Sequence, residues 1–420
     1  MAGTIHTLIL TPPPAKTLPF RFPDSRFRPV QAFYRSGSSN SHCSRSISRP
    51  IRACESSNQK EGNEEKGGQV LGLTERLAWS KPLLNFASNN FLPLALMSGV
   101  AVGLANPTIG CLADKYSLSK FSTFGIFIIS GLTLRSGDIS AAAEAWPVGI
   151  SGLVSILFFT PFFSRIILQL QLQPQEFVIG LAIFCCMPTT LSSGVALTQL
   201  AGGNSALALA MTVFSNLLGI LIVPFSISKF VANGVGASVP AKQLFKSLVV
   251  SLLIPLILGK VFRESFKGLA DFVDQNRKLF SKISAVCLSL VPWIQVSRSR
   301  SLLVMVNPAT FLVAVGIGAL IHIIFVAFNV LGVKSLSALS GGGQSVFAKK
   351  ENSSALVLVA SQKTLPVMVA VVEQLGGALG ESGLLVLPCI AAHIIQIILD
   401  SFLVDFWLRK DISSNNAKVA

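Results

Sequence analysis

Two clusters of polar residues interrupt otherwise apolar stretches of this sequence. The first, MPTTLSSG at 187–194, carries four hydroxyls beside a proline and a glycine. The second, SQKTLP at 361–366, carries an amide, an ammonium and hydroxyls beside another proline. Hydroxyl, amide and freed backbone oxygens are groups that hold a small cation or a polar solute inside a membrane. The residue types therefore predict binding, and no enzyme activity is expected.

These clusters supply the first candidate residues. The side chains expected to bind an ion or substrate are Thr189, Thr190, Ser192, Ser193, Gln362, Lys363 and Thr364. Pro188, Gly194 and Pro366 are expected to break the helices, because proline removes a backbone donor and glycine relaxes the backbone. Backbone at membrane depth leaves a helix only where protein or a water-filled cavity satisfies its polar groups.

The composition identifies the elements that must position these residues. The chain has 420 residues, of which 51% are hydrophobic and 13% charged, and its mean hydropathy is +0.64. Soluble domains average about 25% charged residues. Apolar runs of roughly 18–25 residues recur, each long enough to cross a bilayer as a helix. The fold class is therefore an all-α polytopic membrane protein. Seven cysteines without CxxC spacing indicate neither a disulfide framework nor a zinc site.

About ten membrane spans are predicted within a transporter domain at 83–410, followed by a C-terminal tail at 411–420. They are centred near Leu96, Phe127, Ile156, Ile183, Leu218, Leu253, Leu288, Gly316, Val369 and Ile395. The two interruptions fall in the fourth and ninth spans, which are corresponding positions in two halves of five. Paired broken helices indicate a secondary transporter built as a five-plus-five inverted repeat.

The N-terminal region reads as a targeting signal. Residues 1–53 contain eight basic residues and one acidic residue, and they are rich in serine. This composition predicts a chloroplast transit peptide, with mitochondrial import and a disordered cytosolic tail as alternatives. Residues 54–82 read as a polar linker. The loops on the membrane side that carries both termini are more basic than the opposite loops. The positive-inside rule places that side in the stroma, so the predicted location is the chloroplast inner envelope. These features explain the net charge of +15 without nucleic-acid binding.

The motifs of spans four and five resemble those of the bile acid:sodium symporter family. The segments PTTLSSGVALTQLAGGN at 188–204 and SALALAMTVFSN at 205–216 carry most of the resemblance, which extends over about 91–410. GIFIISGLTL at 125–134 and AAHIIQ at 391–396 add to it. The presequence and SQKTLP resemble the divergent plant chloroplast-envelope branch. The family implies a core of spans three to five and eight to ten, moving against a panel of spans one, two, six and seven.

The resemblance also implies a sodium site. Family members hold sodium with serine, asparagine and threonine on spans four and five, and with glutamate and glutamine on span nine. Ser193 and Thr212 match, whereas Gly194 replaces the asparagine. Gln362 and Pro366 fall about where the glutamate and glutamine are expected. A sodium site at Ser193 and Thr212 is thus the one predicted ion site, without an acidic ligand, and no other cofactor is expected.

The remaining ionisable residues leave the coupling open. Lys363 is expected to supply a fixed positive charge that attracts an anion, unless it snorkels to an interface. His322 and His393 suit either proton relay or structural hydrogen bonding, and His393 is also a candidate binding residue. Asp400, near the end of the last span, is a candidate to face water.

The predicted function is secondary transport of a small anionic organic metabolite across the chloroplast envelope, with sodium coupling. The alternatives are a sodium-independent or proton-coupled carrier that uses Lys363, and a regulatory membrane protein that does not transport. The expected partners are the metabolite and the lipid bilayer, and the oligomeric state is left open.

Overall fold

The structure is a computed structural model that describes residues 91–135 and 143–419. The predicted transit peptide at 1–53 and the linker at 54–82 lie outside these ranges. Within them, every regular element is helical, and the order of elements agrees with a polytopic membrane protein.

The helices are numbered along the chain. They are α1 (Phe91–Ala105), α2 (Pro107–Lys115), α3 (Leu118–Thr133), α4 (Trp146–Ile167), α5 (Gln175–Cys185), α6 (Ser193–Leu200), α7 (Ser205–Val235), α8 (Ala241–Ser265), α9 (Lys267–Gln275), α10 (Arg277–Arg298), α11 (Arg300–Met305), α12 (Pro308–Leu339), α13 (Lys350–Ser361), α14 (Leu365–Leu375) and α15 (Ser382–Val419).

The helices account for the ten predicted spans. In the described ranges, seven spans are long and apolar enough to cross a membrane, and the pair α1 and α2, bent by 102°, forms an eighth. The shorter apolar helices α3 and α5 provide the second and fourth spans. Each predicted span centre lies within a helix, so the prediction of about ten membrane helices is confirmed.

Asparagine residues begin several of these helices. The side chain of Asn106 caps α2, that of Asn204 caps α7, and that of Asn307 caps α12, each by accepting a hydrogen bond from a backbone N–H of the first turn. Such caps satisfy donors that the helix itself leaves unpaired. Each cap therefore satisfies one backbone donor at the point where a new helix begins.

Spans one, two, six and seven pack against one another as α1, α3, α8 and α10. Glycines allow the closest approach: a Cβ at Gly131 would lie 2.2 Å from the carbonyl oxygen of Leu256, and one at Gly259 would lie 2.2 Å from that of Ile128. Backbone contact through small residues is the usual basis of helix association in lipid. The second group of packed helices is formed by α5, α6, α12, α13 and α15, with α4 and α7 against α13.

Candidate functional site

A cavity of about 430 Å³ lies between the two groups of helices. Its wall on one side belongs to α3 and α10, including Thr133, Arg277 and Ser281. The wall on the other side carries the polar residues Thr190, Ser192, Ser193, Gln199, Thr212, Asn216, Thr364 and His393. Six of these eight were predicted from the sequence as binding residues; Gln199 and Asn216 were not.

The cavity faces one side of the membrane. Thr133 ends the second span and Arg277 begins the seventh, so both lie on the side where the tenth span ends. On the opposite side, Gln374 of α14 accepts a hydrogen bond from Ser247 of α8. There, the Ser299 hydroxyl also donates to Glu381 Oε1 at 2.8 Å. Side-chain hydrogen bonds thus join the helices on the face away from the cavity.

Span four unwinds between α5 and α6, and its freed carbonyls have protein donors. The carbonyl oxygen of Met187 accepts from Lys363 Nζ at 2.8 Å, and that of Pro188 accepts from the backbone N–H of Thr364 at 2.9 Å. The carbonyl oxygen of Thr189 accepts from the Asn216 side chain at 3.0 Å. The predicted break therefore exists, and span nine and span five complete its hydrogen bonding.

Span nine unwinds at Gln362, Lys363 and Thr364, between α13 and α14. The backbone N–H of Lys363 donates to Gln396 Oε1 at 3.0 Å, and Gln396 Nε2 donates back to the Lys363 carbonyl oxygen at 2.7 Å. His393 Nδ1 lies 3.2 Å from the same carbonyl oxygen. Two residues one helical turn apart on span ten thus hold the second break.

The predicted helix-breaking residues occupy different places. Pro188 lies in the unwound segment, whereas Gly194 and Pro366 are the second residues of α6 and α14. A Cβ at Gly194 would lie 3.3 Å from Thr190 Oγ1 and 3.5 Å from Gln362 Oε1. Glycine at this position allows the start of α6 to approach the polar groups of span nine. A larger side chain would fill the space between them.

The Lys363 ammonium is enclosed by oxygen atoms. The side chain is 1% exposed, and Nζ donates to Thr160 Oγ1 at 2.6 Å and to the Ile156 carbonyl at 3.2 Å, besides Met187. Ile156 belongs to a π-helical turn of α4, a distortion often found at functional sites. The lysine does not snorkel to an interface, and in the described structure it is not among the residues that line the 430 Å³ cavity.

Gln362 links the cavity wall to the interior. Its Oε1 accepts hydrogen bonds from Thr190 Oγ1 and from Ser193 Oγ, both at 2.7 Å. Its Nε2 donates to Asp400 Oδ2, also at 2.7 Å. Gln362 is fully buried, so these three groups fix the amide.

The expectation that Asp400 faces water is wrong. Its side chain is 1% exposed, and Oδ1 lies 2.8 Å from His322 Nε2. His322 Nδ1 lies 3.3 Å from the Ser361 carbonyl oxygen. Asp400 also contacts Gln362 at the break in span nine, so it lies at membrane depth and not at a surface.

Three oxygen atoms beside the breaks have no hydrogen-bond partner among the described residues. They are Thr212 Oγ1, Asn216 Oδ1 and Thr364 Oγ1, all buried, and all three residues line the cavity. Thr212 and Asn216 are four residues apart on α7 and share a helix face. Buried oxygens without donors are costly, so this group requires water or a cation.

Thr189 and Ser192 differ in their surroundings. Thr189 is fully buried, and its hydroxyl donates to the carbonyl oxygen of Val359 on α13. It therefore joins the two broken spans and does not line the cavity. Ser192 is exposed on the cavity wall.

A cluster of arginines lies near the cavity mouth. Asp274, on α9 outside the spans, accepts from Arg263 at 2.7 Å and lies 3.0 Å from Arg135 Nη2. The hydrogen bond from Arg263 is the main cause that lowers the pKa of Asp274 to about 2. Arg277 Nε is 3.6 Å from the same carboxylate, and Arg277 reaches the cavity.

Sequence reasoning missed Asn216 and the burial of Asp400. Asn216 and Thr212 are four residues apart in an apolar segment, and this helical spacing could have identified Asn216 as a residue on the same helix face as Thr212. Gln396 and Asp400 show the same four-residue spacing on span ten. A row of polar side chains on one face of a membrane helix indicates contact with the protein interior.

Comparisons with known proteins agree with this architecture. Residues 89–409 match the model of the SBF-like CPA transporter family. The chain is 68% identical over 343 residues to the probable sodium/metabolite cotransporter BASS4, chloroplastic, of Arabidopsis thaliana, with 82% of this chain and 78% of the relative covered. The protein of the same name in Oryza sativa subsp. japonica is 64% identical over 336 residues, covering 80% and 79%. Sodium/bile acid cotransporter 7 of Xenopus tropicalis is 27% identical over 341 residues, covering 80% and 93%.

Proposed function

The chain belongs to the SBF-like CPA transporter family, and from this we propose that it is a secondary transporter that moves a small anionic organic metabolite together with sodium. Two relatives that are 64–68% identical are named as chloroplastic sodium/metabolite cotransporters. The multi-pass helical structure agrees with a membrane carrier, and the names of these relatives support the chloroplast as its location. The basic loops on the side of the termini support the inner envelope as its membrane.

The observation that carries the sodium proposal is the group of unpartnered oxygens at Thr212, Asn216 and Thr364. Sodium binds hydroxyl and carbonyl oxygens at unwound helices of transporters, and these atoms are of that kind. Ser193, whose hydroxyl lies on the same wall, completes the set expected from the sequence. The set contains neutral oxygens alone, which suits a monovalent ion that must later be released.

The opposite wall supports an anionic solute. Arg277 carries the one permanently charged side chain among the described residues that line the cavity. One guanidinium nitrogen donates to the Thr133 carbonyl oxygen at 3.0 Å, and Ser281 and Ser284 lie on the same wall. A guanidinium with unused donors beside hydroxyls suits a carboxylate. A sodium ion on one wall and an arginine on the other then balance the charge of the solute.

The alternative that uses Lys363 rests on a different observation. The Lys363 ammonium occupies a position lined by three oxygen atoms, which a cation could otherwise fill. In a sodium-independent or proton-coupled carrier this fixed charge would act across the break, because the ammonium does not reach the cavity wall. A regulatory protein that does not transport is the remaining alternative.

Thermal unfolding of the chain in detergent tests the sodium site. The melting temperature is measured in sodium chloride and in equal potassium chloride, because a ligand that binds only the folded state raises it. We expect a sodium-specific rise that is lost in Thr212→Ala and in Asn216→Ala. Ser215→Ala is the matched control, since Ser215 is buried beside Asn216 on α7 but does not line the cavity.

Equal melting temperatures in the two salts at all concentrations, or a rise that survives Thr212→Ala, would contradict the sodium site. Uptake of labelled small carboxylates by proteoliposomes then separates transport from regulation. We expect uptake driven by an inward sodium gradient and reduced in Arg277→Gln. Uptake that is equal with sodium and potassium gradients favours the Lys363 alternative. The absence of uptake of any labelled carboxylate favours a regulatory protein that does not transport.

A further inference from the structure

We propose that Asp400 is a positioning residue that fixes the orientation of the Gln362 amide, so that the span-nine break presents an oxygen to the cavity wall. This inference rests on the proposed sodium site, whose selectivity it explains. It assigns to span ten the carboxylate that the break in span nine lacks.

The chemistry of the partners determines the orientation. An ionised carboxylate has acceptors and no donors, whereas an amide has an acceptor on one side and donors on the other. Asp400 Oδ2 lies 2.7 Å from Gln362 Nε2, so the amide must turn its NH2 group toward span ten. Its Oε1 then faces the opposite way, toward the hydroxyls of Thr190 and Ser193 at 2.7 Å.

The reversed orientation is unfavourable at the Asp400 contact. It would bring the amide oxygen within hydrogen-bond distance of a carboxylate oxygen, with no donor between them. Thr190 and Ser193 do not favour either orientation of the Gln362 amide, because a hydroxyl can both donate and accept a hydrogen bond. Of the three groups that contact the amide, Asp400 alone therefore distinguishes its two ends.

Asp400 is itself held in place. Its other oxygen lies 2.8 Å from His322 Nε2, and the His322 ring is 4% exposed. His322 Nδ1 lies 3.3 Å from the carbonyl oxygen of Ser361, one residue before Gln362. The Lys363 ammonium points away from this pair, toward α4 and the first break. The carboxylate thus stays aligned with the amide.

The orientation has a direct consequence for ligand choice. Thr190 and Ser193 line the cavity. The amide oxygen of Gln362 lies behind them, so their hydroxyl hydrogens point away from the cavity and toward this oxygen. Thr190 Oγ1 also accepts from the backbone N–H of Gly194 at 3.1 Å, so its remaining lone pair and those of Ser193 Oγ can face the cavity, where a cation is attracted. An amide turned the other way would donate to these hydroxyls, whose hydrogens would point into the cavity and repel a cation. Asp400 therefore sets the polarity of the wall without touching the ion.

The test is sodium binding by the full chain with Asp400→Asn. This change preserves shape but replaces the carboxylate with an amide that contacts Gln362 through either end. We expect the sodium concentration for half of the melting-temperature rise to increase about tenfold or more, the range seen when partners of metal ligands are changed. The matched control is Ser155→Ala, which removes a buried hydrogen bond to Asn329 but none to Gln362 or Asp400. It is expected to lower the melting temperature equally in sodium and potassium.

A reciprocal substitution tests orientation against mere loss of a hydrogen bond. Asp400→Asn combined with Gln362→Glu exchanges amide and carboxylate, so an oxygen again faces Thr190 and Ser193. We expect the double variant to recover the sodium response, and it serves as the test if the single variant does not fold. Retention of the wild-type sodium response in Asp400→Asn, or a folded double variant without it, would overturn the inference. A wild-type chain that does not respond to sodium would overturn the proposed function and this inference with it.

Discussion

The ammonium of Lys363 lies 2.8 Å from the carbonyl oxygen of Met187, so the break in span nine supplies a hydrogen-bond donor to the break in span four. The neighbouring N–H of Thr364 does the same for Pro188. Both unwound segments are buried, where unpaired backbone groups are costly. The break in span nine therefore stabilises the break in span four.

Replacing Lys363 with methionine is expected to destabilise the chain. The change keeps most of the side-chain volume but leaves the carbonyl oxygens of Met187 and Ile156 without their ammonium donor. An orphaned buried acceptor costs roughly 1–3 kcal/mol. We expect a lower melting temperature in sodium and in potassium alike, measured by thermal unfolding in detergent.

Lys242→Met is the control, since Lys242 is exposed at the start of α8. Its melting temperature is expected to match that of the wild type. A Lys363→Met chain with unchanged stability but no carboxylate uptake would show instead that the charge of the lysine acts on the solute across the break.

Gly259→Ala is expected to disturb the contact between α3 and α8. The added Cβ would lie 2.2 Å from the Ile128 carbonyl oxygen, and backbone on both sides prevents relief by a side-chain rotation. Overpacking of this kind costs roughly 1–3 kcal/mol. Gly316→Ala is the matched control, because no atom lies within 4 Å of its added Cβ. Equal melting temperatures of the two variants would contradict the close helix contact.

The Asp274 carboxylate is expected to make stability depend on pH under acidic conditions. Hydrogen bonds, first from Arg263, lower its pKa from 3.8 to about 2, so the folded state holds this proton less tightly than the unfolded state. The resulting stabilisation is complete above pH 4 and is lost as the pH falls toward 2. Asp274→Asn should therefore unfold more easily than the wild type at pH 5, and the difference should vanish near pH 2.

Asp405→Asn provides the comparison for this pH series. Asp405 pairs with Arg409 at 2.8 Å on the exposed end of α15, and exposed pairs contribute little. Melting curves between pH 2 and 5 should superimpose for this variant and the wild type. A constant gap between Asp274→Asn and the wild type across this range would show that the carboxylate does not act through its charge.

The direction of the cavity can be tested with a cysteine at Ser192. The residue is exposed on the cavity wall, which faces the side where span ten ends. Ser192→Cys should react with a membrane-impermeant thiol reagent added to that side, beyond the background set by the native cysteines. Ser215→Cys, at a fully buried position of α7, should not react. Labelling of Ser192→Cys from the opposite side alone would reverse the orientation of the cavity.

The sequence was sufficient to predict the helices and their breaks. Apolar length marks a span whatever its neighbours, and proline beside hydroxyls marks backbone that leaves the helix. The ten span centres, and the pairing of interruptions at 187–194 and 361–366, depend on such local features.

The partners of the site residues required the structure. Lys363 and Thr160 are 203 residues apart, and Gln362 and Asp400 belong to different spans. Hydropathy cannot tell whether a lysine near a break reaches a cavity or a neighbouring helix. Asp400 was assigned to water because acidic residues near a helix end usually lie there, but α15 continues beyond the predicted span.

The crossing of the two breaks also constrains how the protein is assembled. Met187 and Lys363 are 176 residues apart, so membrane insertion that starts from the N-terminus delivers span four long before its donor arrives. During that interval the carbonyl oxygens of Met187 and Pro188 lack these donors. The hydrogen bonding of the first break is therefore complete only after span nine has been inserted.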